Sequence, residues 1–420
     1  MKSTTHRLLS SLLAMVLCSL TATAQHLTLN ECEQMARDNY PVAKQRGLVD
    51  LTEGYTLNNI AKKWLPQVSV SGDFAGFTDI IKQPSMIEMK NYVASGMLSV
   101  QQNIYDGGSI AAGKRVAKAQ AEVNRRQVDV SIYDVLERVD QMYFGILLID
   151  KQINQYGLLK ADLDVCRKNV ESLKRGGLAN ESDIDAIAVE QVKVAQQTDA
   201  AKALRASYAA MLGTLIGKDV TADATLDEPM TPTTVSTANY RPELSYYDAQ
   251  NSLIDEQLQQ LNTRLRPTLS LFGAGMIHSR VTSMLNNGVL LGGISLKWNI
   301  GALYTRKNDI QKLQAQKSQN EVAREAFLFG TRLRTQEAEG KMESLRAQIK
   351  ADAEIVALRQ RIQQKSERKV QMGTESVNEL VRQTLAVSQA RQQMALHQVQ
   401  LLQQAYSVVN INNSNQSNSL

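Results

Sequence analysis

Leu65-Pro66-Gln67-Val68-Ser69-Val70 closes a helical stretch and opens a strand, and Arg266-Pro267-Thr268-Leu269-Ser270-Leu271 does so a second time. In each, proline drives the residue before it out of the α region, so the helix stops there. The residues beyond each proline alternate. Val68, Val70, Gly72 and Phe74 share one face against Gln67, Ser69, Ser71 and Asp73, and Leu269, Leu271 and Gly273 alternate with Thr268, Ser270 and Phe272. Each run has a partner. Leu98, Val100 and Ile104 stand against Ser99, Gln101 and Asn103, while Leu290, Gly292, Ile294, Leu296, Trp298 and Ile300 alternate with Gly293, Ser295, Lys297 and Asn299. Period two, apolar on one side and polar on the other, suits a β-barrel wall with lipid outside and water within. A soluble hairpin with one buried face has the same period. Two features favour the wall: its apolar face carries glycine and small residues, and no helix with a matching stripe is left to cover it.

Outward from these strands the chain repeats its plan. Upstream, Asn39-Tyr40-Pro41 and Tyr240-Arg241-Pro242 each open the helical stretch that ends at the strand, the first running from Pro41 to Trp64. Before it, Asn30 with Glu33 reads as a capping box that starts a first helix at Glu31. Downstream, Asp106-Gly107-Gly108 turns into a helix whose seam alternates by four and three: Val128, Ile132, Val135, Val139, Met142, Ile146, Ile149, Ile153 and Tyr156, resuming at Leu163, Cys166, Val170 and Leu173. Such a repeat demands a partner helix along its length, and from Gly113 to Gly176 it rises about 95 Å. Arg175-Gly176-Gly177 breaks it, and a return helix runs from Glu181 to about Gly217. The second copy has a rougher seam (Val322, Ala326, Phe329, Leu333, then Met342, Leu345, Ile349), a turn at Gly373-Thr374, and a return helix with Leu380, Val387, Met394, Leu401 and Val408 at sevens.

The expected organisation is therefore a signal peptide at 1–24 and a first repeat at 25–218, with strands near 67–79 and 92–105 and a helical hairpin over 110–217. A linker at 219–239 comes next, then a second repeat at 240–411 with strands near 268–278 and 289–300 and a hairpin over 303–410, and a disordered tail at 412–420. Lys2 and Arg7, the apolar run Leu8 to Leu20 and the small residues Ala22-Thr23-Ala24 make the signal; the run is too short for a spanning helix. The near balance of 47 basic and 42 acidic side chains argues against nucleic acid as a partner. Cys32 and Cys166 lie far apart on any extended helical arrangement, so no disulfide is expected. The four histidines show no ligand spacing, no phosphate loop is present, and no serine or cysteine has a base beside it. The reading is of a non-enzyme with no cofactor and no metal. Trp64 and Trp298, the only tryptophans, fall with Tyr105 and Tyr304 at strand–helix junctions, where amphipathic rings mark a lipid–water boundary. Asp183 and Asp185, and Glu375 and Glu379, lie at helix starts, where acids favour the dipole; Glu375 and Glu379, four apart, are expected to share a face near Gly373, with Arg382 a turn further on.

At this point the chain resembles the TolC-like outer-membrane efflux channels, the outer membrane factors. Leu27-Thr28-Leu29-Asn30-Glu31-Cys32 with Asn39-Tyr40-Pro41 is similar to that family's start, Leu65-Pro66-Gln67-Val68-Ser69-Val70 to its way into the barrel, and Asn103-Ile104-Tyr105-Asp106-Gly107-Gly108 to its way out. Gly177-Leu178 through Ser182-Asp183-Ile184, and Gly373-Thr374 through Val377-Asn378-Glu379-Leu380, resemble its two periplasmic hairpin tips. The resemblance implies a mainly α protein with a membrane β-barrel portion. It implies a homotrimer in which four strands per chain make a 12-stranded barrel continuing into a 12-helix tunnel, in the outer membrane of a Gram-negative bacterium and extending into its periplasm. It implies docking of a periplasmic adaptor protein at the tips (Arg175, Gly176, Gly177, Gly373, Thr374), an inner-membrane transporter beyond it, and passive export in a tripartite efflux or type I secretion system. Gate candidates are Glu375, Glu379, Arg382, Asp183 and Asp185; Glu379 matches a family gate position, while Arg382 stands where a second acid is common. The competing expectation is a secreted trimeric coiled-coil fibre or adhesin without a pore, which accounts for the heptads but not for the strand pair before each of them.

Overall fold

The computed structural model of the chain describes residues 26–76, 92–232, 239–278 and 288–413. The expected signal, the far end of the first strand (77–79), residues 233–238 of the expected linker and the tail from 414 lie outside the described residues. In order, the elements are β1 (His26–Leu27), α1 (Leu29–Asn39), α2 (Ala43–Ala61), a 3-10 turn (Lys62–Trp64), β2 (Gln67–Gly76), β3 (Tyr92–Tyr105), α3 (Ser109–Arg175), α4 (Glu181–Ile216), β4 (Thr225–Leu226), α5 (Pro242–Thr263), β5 (Thr268–His278), β6 (Gly288–Lys297), α6 (Ala302–Gln371) and α7 (Val377–Asn412). The chain divides into two units, one of Met1–Ala43, Ser131–Arg241 and Phe329–Leu420, the other of Lys44–Val130 and Pro242–Leu328.

The second unit holds a four-stranded antiparallel sheet in the order β2-β3-β5-β6, so a strand of each copy pairs at its centre. The register matches like with like. Val68 faces Val100, Val70 faces Leu98, Leu269 faces Leu296 and Leu271 faces Ile294, while on the other side Ser69 faces Ser99 and Gln67 faces Gln101. A bulge at Ile104 lets Tyr105 pair with Leu269. β6 ends at Lys297, short of the expected 300, because the residue before its partner Thr268 is Pro267, which has no N–H to continue the ladder. Asp106 starts α3: its Oδ1 accepts from Gly108 N at 3.0 Å and its Oδ2 from Ile110 N at 2.6 Å, with Gly107 and Gly108 in the left-handed region (φ 67° and 85°). Beside the helices, Arg125 joins Asp50, Glu53 and Glu122 in one ion-pair cluster, which holds its guanidinium firmly charged.

Among the described residues the first unit has a small apolar core of Ala338, Val408 and Ile411 and two larger ones. One collects Leu29, Cys32 and Ala36 of α1, Val135, Val139, Tyr143, Phe144 and Ile146 of α3, Leu212 and Ile216 of α4, and Leu402 of α7. The other joins Leu163, Cys166 and Val170 of α3 to Ile184 and Ile187 of α4, Val370 of α6, and Val377 and Leu380 of α7. The seam read from Val128 to Val170 is thus the packed edge of α3, widened at Tyr143, Phe144 and Leu147, where α1 adds a second neighbour. Cys32 and Cys166 are both free. The expected linker carries β4, which pairs in parallel with β1, and the Tyr143 hydroxyl ties the two by donating to the carbonyls of Leu27 (2.9 Å) and Asp227 (2.6 Å).

Three local expectations need correction. The first helix is capped by Thr28, not Asn30, with Glu31 closing the capping box, because Leu29 is needed in the core and the helix starts there, two residues earlier than the Asn30 reading allows. Pro41 does not start a helix; α2 begins at Ala43, after the extended cap at Tyr40. The tail begins later than 412, since Asn412 and Asn413 are buried, the latter in the left-handed region (φ 50°) and donating to the Tyr240 carbonyl at 2.9 Å.

Gly145 stands where α3 meets α4, and a Cβ placed there would lie 2.5 Å from the Tyr208 ring. Alanine gains helix propensity but overpacks the contact, so Gly145→Ala is expected to cost a net of about 1 kcal/mol. Adding Tyr208→Ala should cancel most of the clash, seen as a favourable coupling in the denaturant midpoints of the single and double variants.

Candidate functional site

Two surfaces carry the residues singled out from the sequence, the sheet and the hairpin turns. On the sheet, the apolar face is bare in the single chain: Val70 is 78% exposed, Leu290 89%, Ile294 67% and Leu296 72%. No helix covers it. The opposite face begins polar, with Ser69 and Ser99 hydroxyls hydrogen-bonded at 2.6 Å and Gln101 Nε2 donating to Ser270 Oγ at 3.1 Å. It does not stay polar, which corrects the reading of a uniformly polar side. One row on it runs Ser71, Met97, Met276, Val289, and the next places Ala274 against Leu291. The sequence hid this because Met97 and Met276 sit where both faces are apolar, so alternation gives no signal there. β2 and β6 are the sheet's edges, each with its outer side unpaired among the described residues.

The four aromatics gather at one end of the sheet, where β2 starts and β3 and β6 end. Trp64 closes the 3-10 turn before β2 and its carbonyl accepts from Gln102 Nε2; Tyr105 is the last residue of β3; Trp298 comes just after β6 and donates from Nε1 to the Leu265 carbonyl at 3.0 Å; Tyr304 lies in the first turn of α6. All are exposed (Trp298 60%, Tyr304 84%). Rings anchored through their polar edge or backbone, with the apolar body outward, are the form a boundary between lipid and water favours.

The hairpin turns are built alike. After α3, Gly177 (φ 77°) is the left-handed residue of a Schellman motif in which Leu178 N donates to Leu173 O (2.9 Å) and Gly177 N to Lys174 O (3.0 Å). After α6, Gly373 (φ 70°) does the same, with Thr374 N to Lys369 O (2.9 Å) and Gly373 N to Val370 O (3.0 Å). Three residues past each glycine comes the N-cap, Asn180 or Ser376, and three beyond that the acid Asp183 or Glu379. Leu178 of one turn lies against Gly373 of the other. Arg175, the last residue of α3, and Gly176 just after it are exposed.

The acids then part company. Asp183 is used by the fold: its carboxylate accepts from Asn180 N at 3.0 Å to close a capping box. Asp185 is exposed on α4. Glu375 precedes the cap Ser376 and so lies outside α7, which corrects its placement at the helix start; one oxygen is 3.6 Å from Lys369 and the other is buried without a donor. Glu379 accepts two bonds from Arg382 of its own chain (2.6 and 2.9 Å) and one from Gln383 (2.6 Å). The Arg382 guanidinium, then the Gln383 amide, hold the Glu379 carboxyl below its ordinary range. Gln383 gives no sign in the sequence, since an amide four residues from an acid carries no charge signal.

Among the described residues no group of three or more His, Cys, Asp or Glu is placed to hold a metal ion, and no helix is long and apolar enough to cross a membrane. No family model matches the chain, and no curated protein matches its sequence. Solved structures do. The outer-membrane channel OprN aligns with a TM-score of 0.69 at 13% identity, over 92% of this chain and 90% of that one. The CmeC outer-membrane channel of Campylobacter jejuni aligns at 0.66 and 15% identity, over 92% and 85%. The outer-membrane protein VceC of Vibrio cholerae aligns at 0.66 and 9%, over 92% and 96%. At such identities the likeness is one of fold.

The shared turn plan makes a local prediction. Alanine at Gly373 would be held in the left-handed region at a cost of about 1–2 kcal/mol, whereas Gly176→Ala, where φ is not positive, should be near neutral. Urea midpoints of the two variants check it; equal midpoints would contradict the Schellman assignment.

Proposed function

We propose that this chain, which has the fold of the TolC-like outer-membrane channels, is itself an outer-membrane channel of a Gram-negative bacterium: a homotrimer whose twelve strands close one barrel and whose helices continue it as a twelve-helix periplasmic tunnel. It serves as the passive export duct of a tripartite efflux or type I secretion system, with a periplasmic adaptor docking at the Gly177 and Gly373 turns and an inner-membrane transporter beyond the adaptor. One observation carries this reading. The sheet bares an apolar face on one side and, among the described residues, leaves the outer edges of β2 and β6 unpaired. In lipid, open edges are not tolerated, and four strands are too few to close on themselves; further copies of the chain are the simplest closure. The helices support it independently. Val322, Phe329 and Leu333, the expected seam of α6, are exposed in the single chain at 64%, 57% and 51%, so their partner helix belongs to another copy. A pore-free fibre would share the exposed seam but has no use for a bare, edge-open sheet.

The test is assembly and conduction together. The protein should stay in the outer membrane through a carbonate wash, have three times the chain mass in native mass measurement after detergent extraction, and conduct in planar bilayers. A stable extracted monomer, or a trimer that washes off and does not conduct, would sink the proposal. Face assignment is checked at neighbouring positions. Ile294→Arg, further into the wall from the aromatic end than Leu296, should cost about 2–4 kcal/mol per chain toward mid-bilayer and reduce trimer yield, while Ser295→Arg on the other face should be mild. Equal defects would mean that the wall is read backwards.

The mouth is checked by conductance. With Glu379 tied to Arg382, Arg382→Ala should free three acidic charges in the trimer and raise cation preference and multivalent-cation block; Glu379→Gln should lower both. Low salt is needed, because screening at ~0.15 M shortens the reach of these charges to about 8 Å. Wild-type behaviour in both variants would place the selectivity elsewhere.

A further inference from the structure

Helix α1 is held to the first unit through Cys32 and Ala36, and the residue between them in that contact is not apolar. Glu33 lies beside Asp140 of α3, near enough for each carboxyl to act on the other. Asp140 is only 7% exposed. Its Oδ2 accepts from the Asn410 amide of α7, while its Oδ1 is buried and has no donor. Two ionised carboxylates are acceptors only, so neither can donate to the other, and out of water they repel. Two neighbouring cations are already engaged: Arg241 with Glu137 at 3.2 Å and over the Tyr133 ring, Lys341 with Glu337 at 2.6 Å. Arg37, on α1 itself, is the opposite charge that acts on Glu33. Arg334 of α6 lines, with Glu137, Asp140, Glu337 and Lys341, a cavity of about 310 Å³ beside the pair. The nearby tyrosine hydroxyls donate elsewhere, Tyr143 to Leu27 and Asp227, Tyr406 to the Met230 carbonyl at 3.0 Å.

We propose that Glu33 and Asp140 form a proton-binding site, Asp140 donating through Oδ1 to Glu33, and that this one shared proton fastens α1 to α3 and α7. A single proton then accounts both for the bare oxygen and for a contact between two acceptors. Burial first, then the charge of Glu33, pushes the Asp140 carboxyl up to about 8 from its ordinary 3.8, against the opposing bond from Asn410. Because the folded value is the higher one, the fastening is complete below the ordinary value, weakens steadily as pH rises between the two, and is gone once pH passes about 8. The site is independent of the channel reading, since every group in it belongs to the first unit of one chain.

The chain carries its own reporter. Cys32 is fully buried (0%) beside Glu33, and Cys166 lies in the other core as an internal reference. The ratio of Cys32 to Cys166 alkylation in the full-length protein should rise by up to tenfold per pH unit between about pH 5 and 7.5, as expected for one proton released on opening. Asp140→Asn and Glu33→Gln should each flatten that slope. Infrared spectra of the wild type at pH 7 should show a protonated-carboxyl band that Asp140→Asn removes. An unchanged slope in the variants, or no such band in the wild type, overturns the proposal; if Asp140→Asn does not fold, the wild-type band and the Glu33→Gln slope decide it alone.

Discussion

A strand that ends a sheet carries a row of N–H and C=O groups, and the medium around it decides whether they can stay unpaired. Water satisfies them; hydrocarbon does not. β2 and β6 bear such rows, and the side chains between them make the medium legible: Val70, Leu290, Ile294 and Leu296 project from one face with nothing over them. In water that face would be an aggregation hazard. In lipid it is what the wall needs, but then the edges must close. Face and edges thus impose opposite demands on a single chain, and assembly with further copies meets both. The exposed α6 residues Val322, Phe329 and Leu333 make the same demand among helices, where the driving force is ordinary hydrophobic burial.

The duplication is preserved in backbone chemistry more faithfully than in side chains. Both hairpins turn on a left-handed glycine with the same pair of Schellman bonds, and both restart on a polar cap three residues later. Those features answer to backbone sterics and orphan donors, which do not change between copies. The acid after the cap was free to diverge. Asp183 reaches back to its cap, while Glu379 turns to Arg382 and Gln383, because position 186 in the first copy is alanine and 382 in the second is arginine.

Much of this is legible in residues. Pro66 and Pro267 locate the strands, the four-three spacing from Val128 to Val170 locates the packed edge of α3, and Gly177 and Gly373 locate the turns. What escapes is whatever depends on a neighbour distant in sequence. Thr28 rather than Asn30 caps α1 because Leu29 has to reach a core built by α3 and α4. Ile104 bulges because β5, far along the chain, sets the register. The apolar row Met97, Met276, Val289 shows only once three strands are aligned. The Glu33–Asp140 contact joins residues that no spacing rule connects, and by spacing alone Glu33 reads as a capping acid.

Magnitudes indicate what holds the two turns in their present relation. The Glu379–Arg382 pair lies within one helix, and Arg382 is 72% exposed, so water screens the pair and it contributes little. It cannot lock one hairpin to the other, since it does not cross between them. The core of Leu163, Cys166 and Val170 with Ile184, Ile187, Val370, Val377 and Leu380 does cross, and each large buried side chain there is worth roughly 1.5–3 kcal/mol. Leu178 against Gly373 extends that contact to the turns themselves. Separating the hairpins would expose several such side chains at once, whereas sliding them past one another keeps most of the area covered. The charges therefore tune what the turns meet, and the apolar core fixes how they move: together, or by shear along the seam.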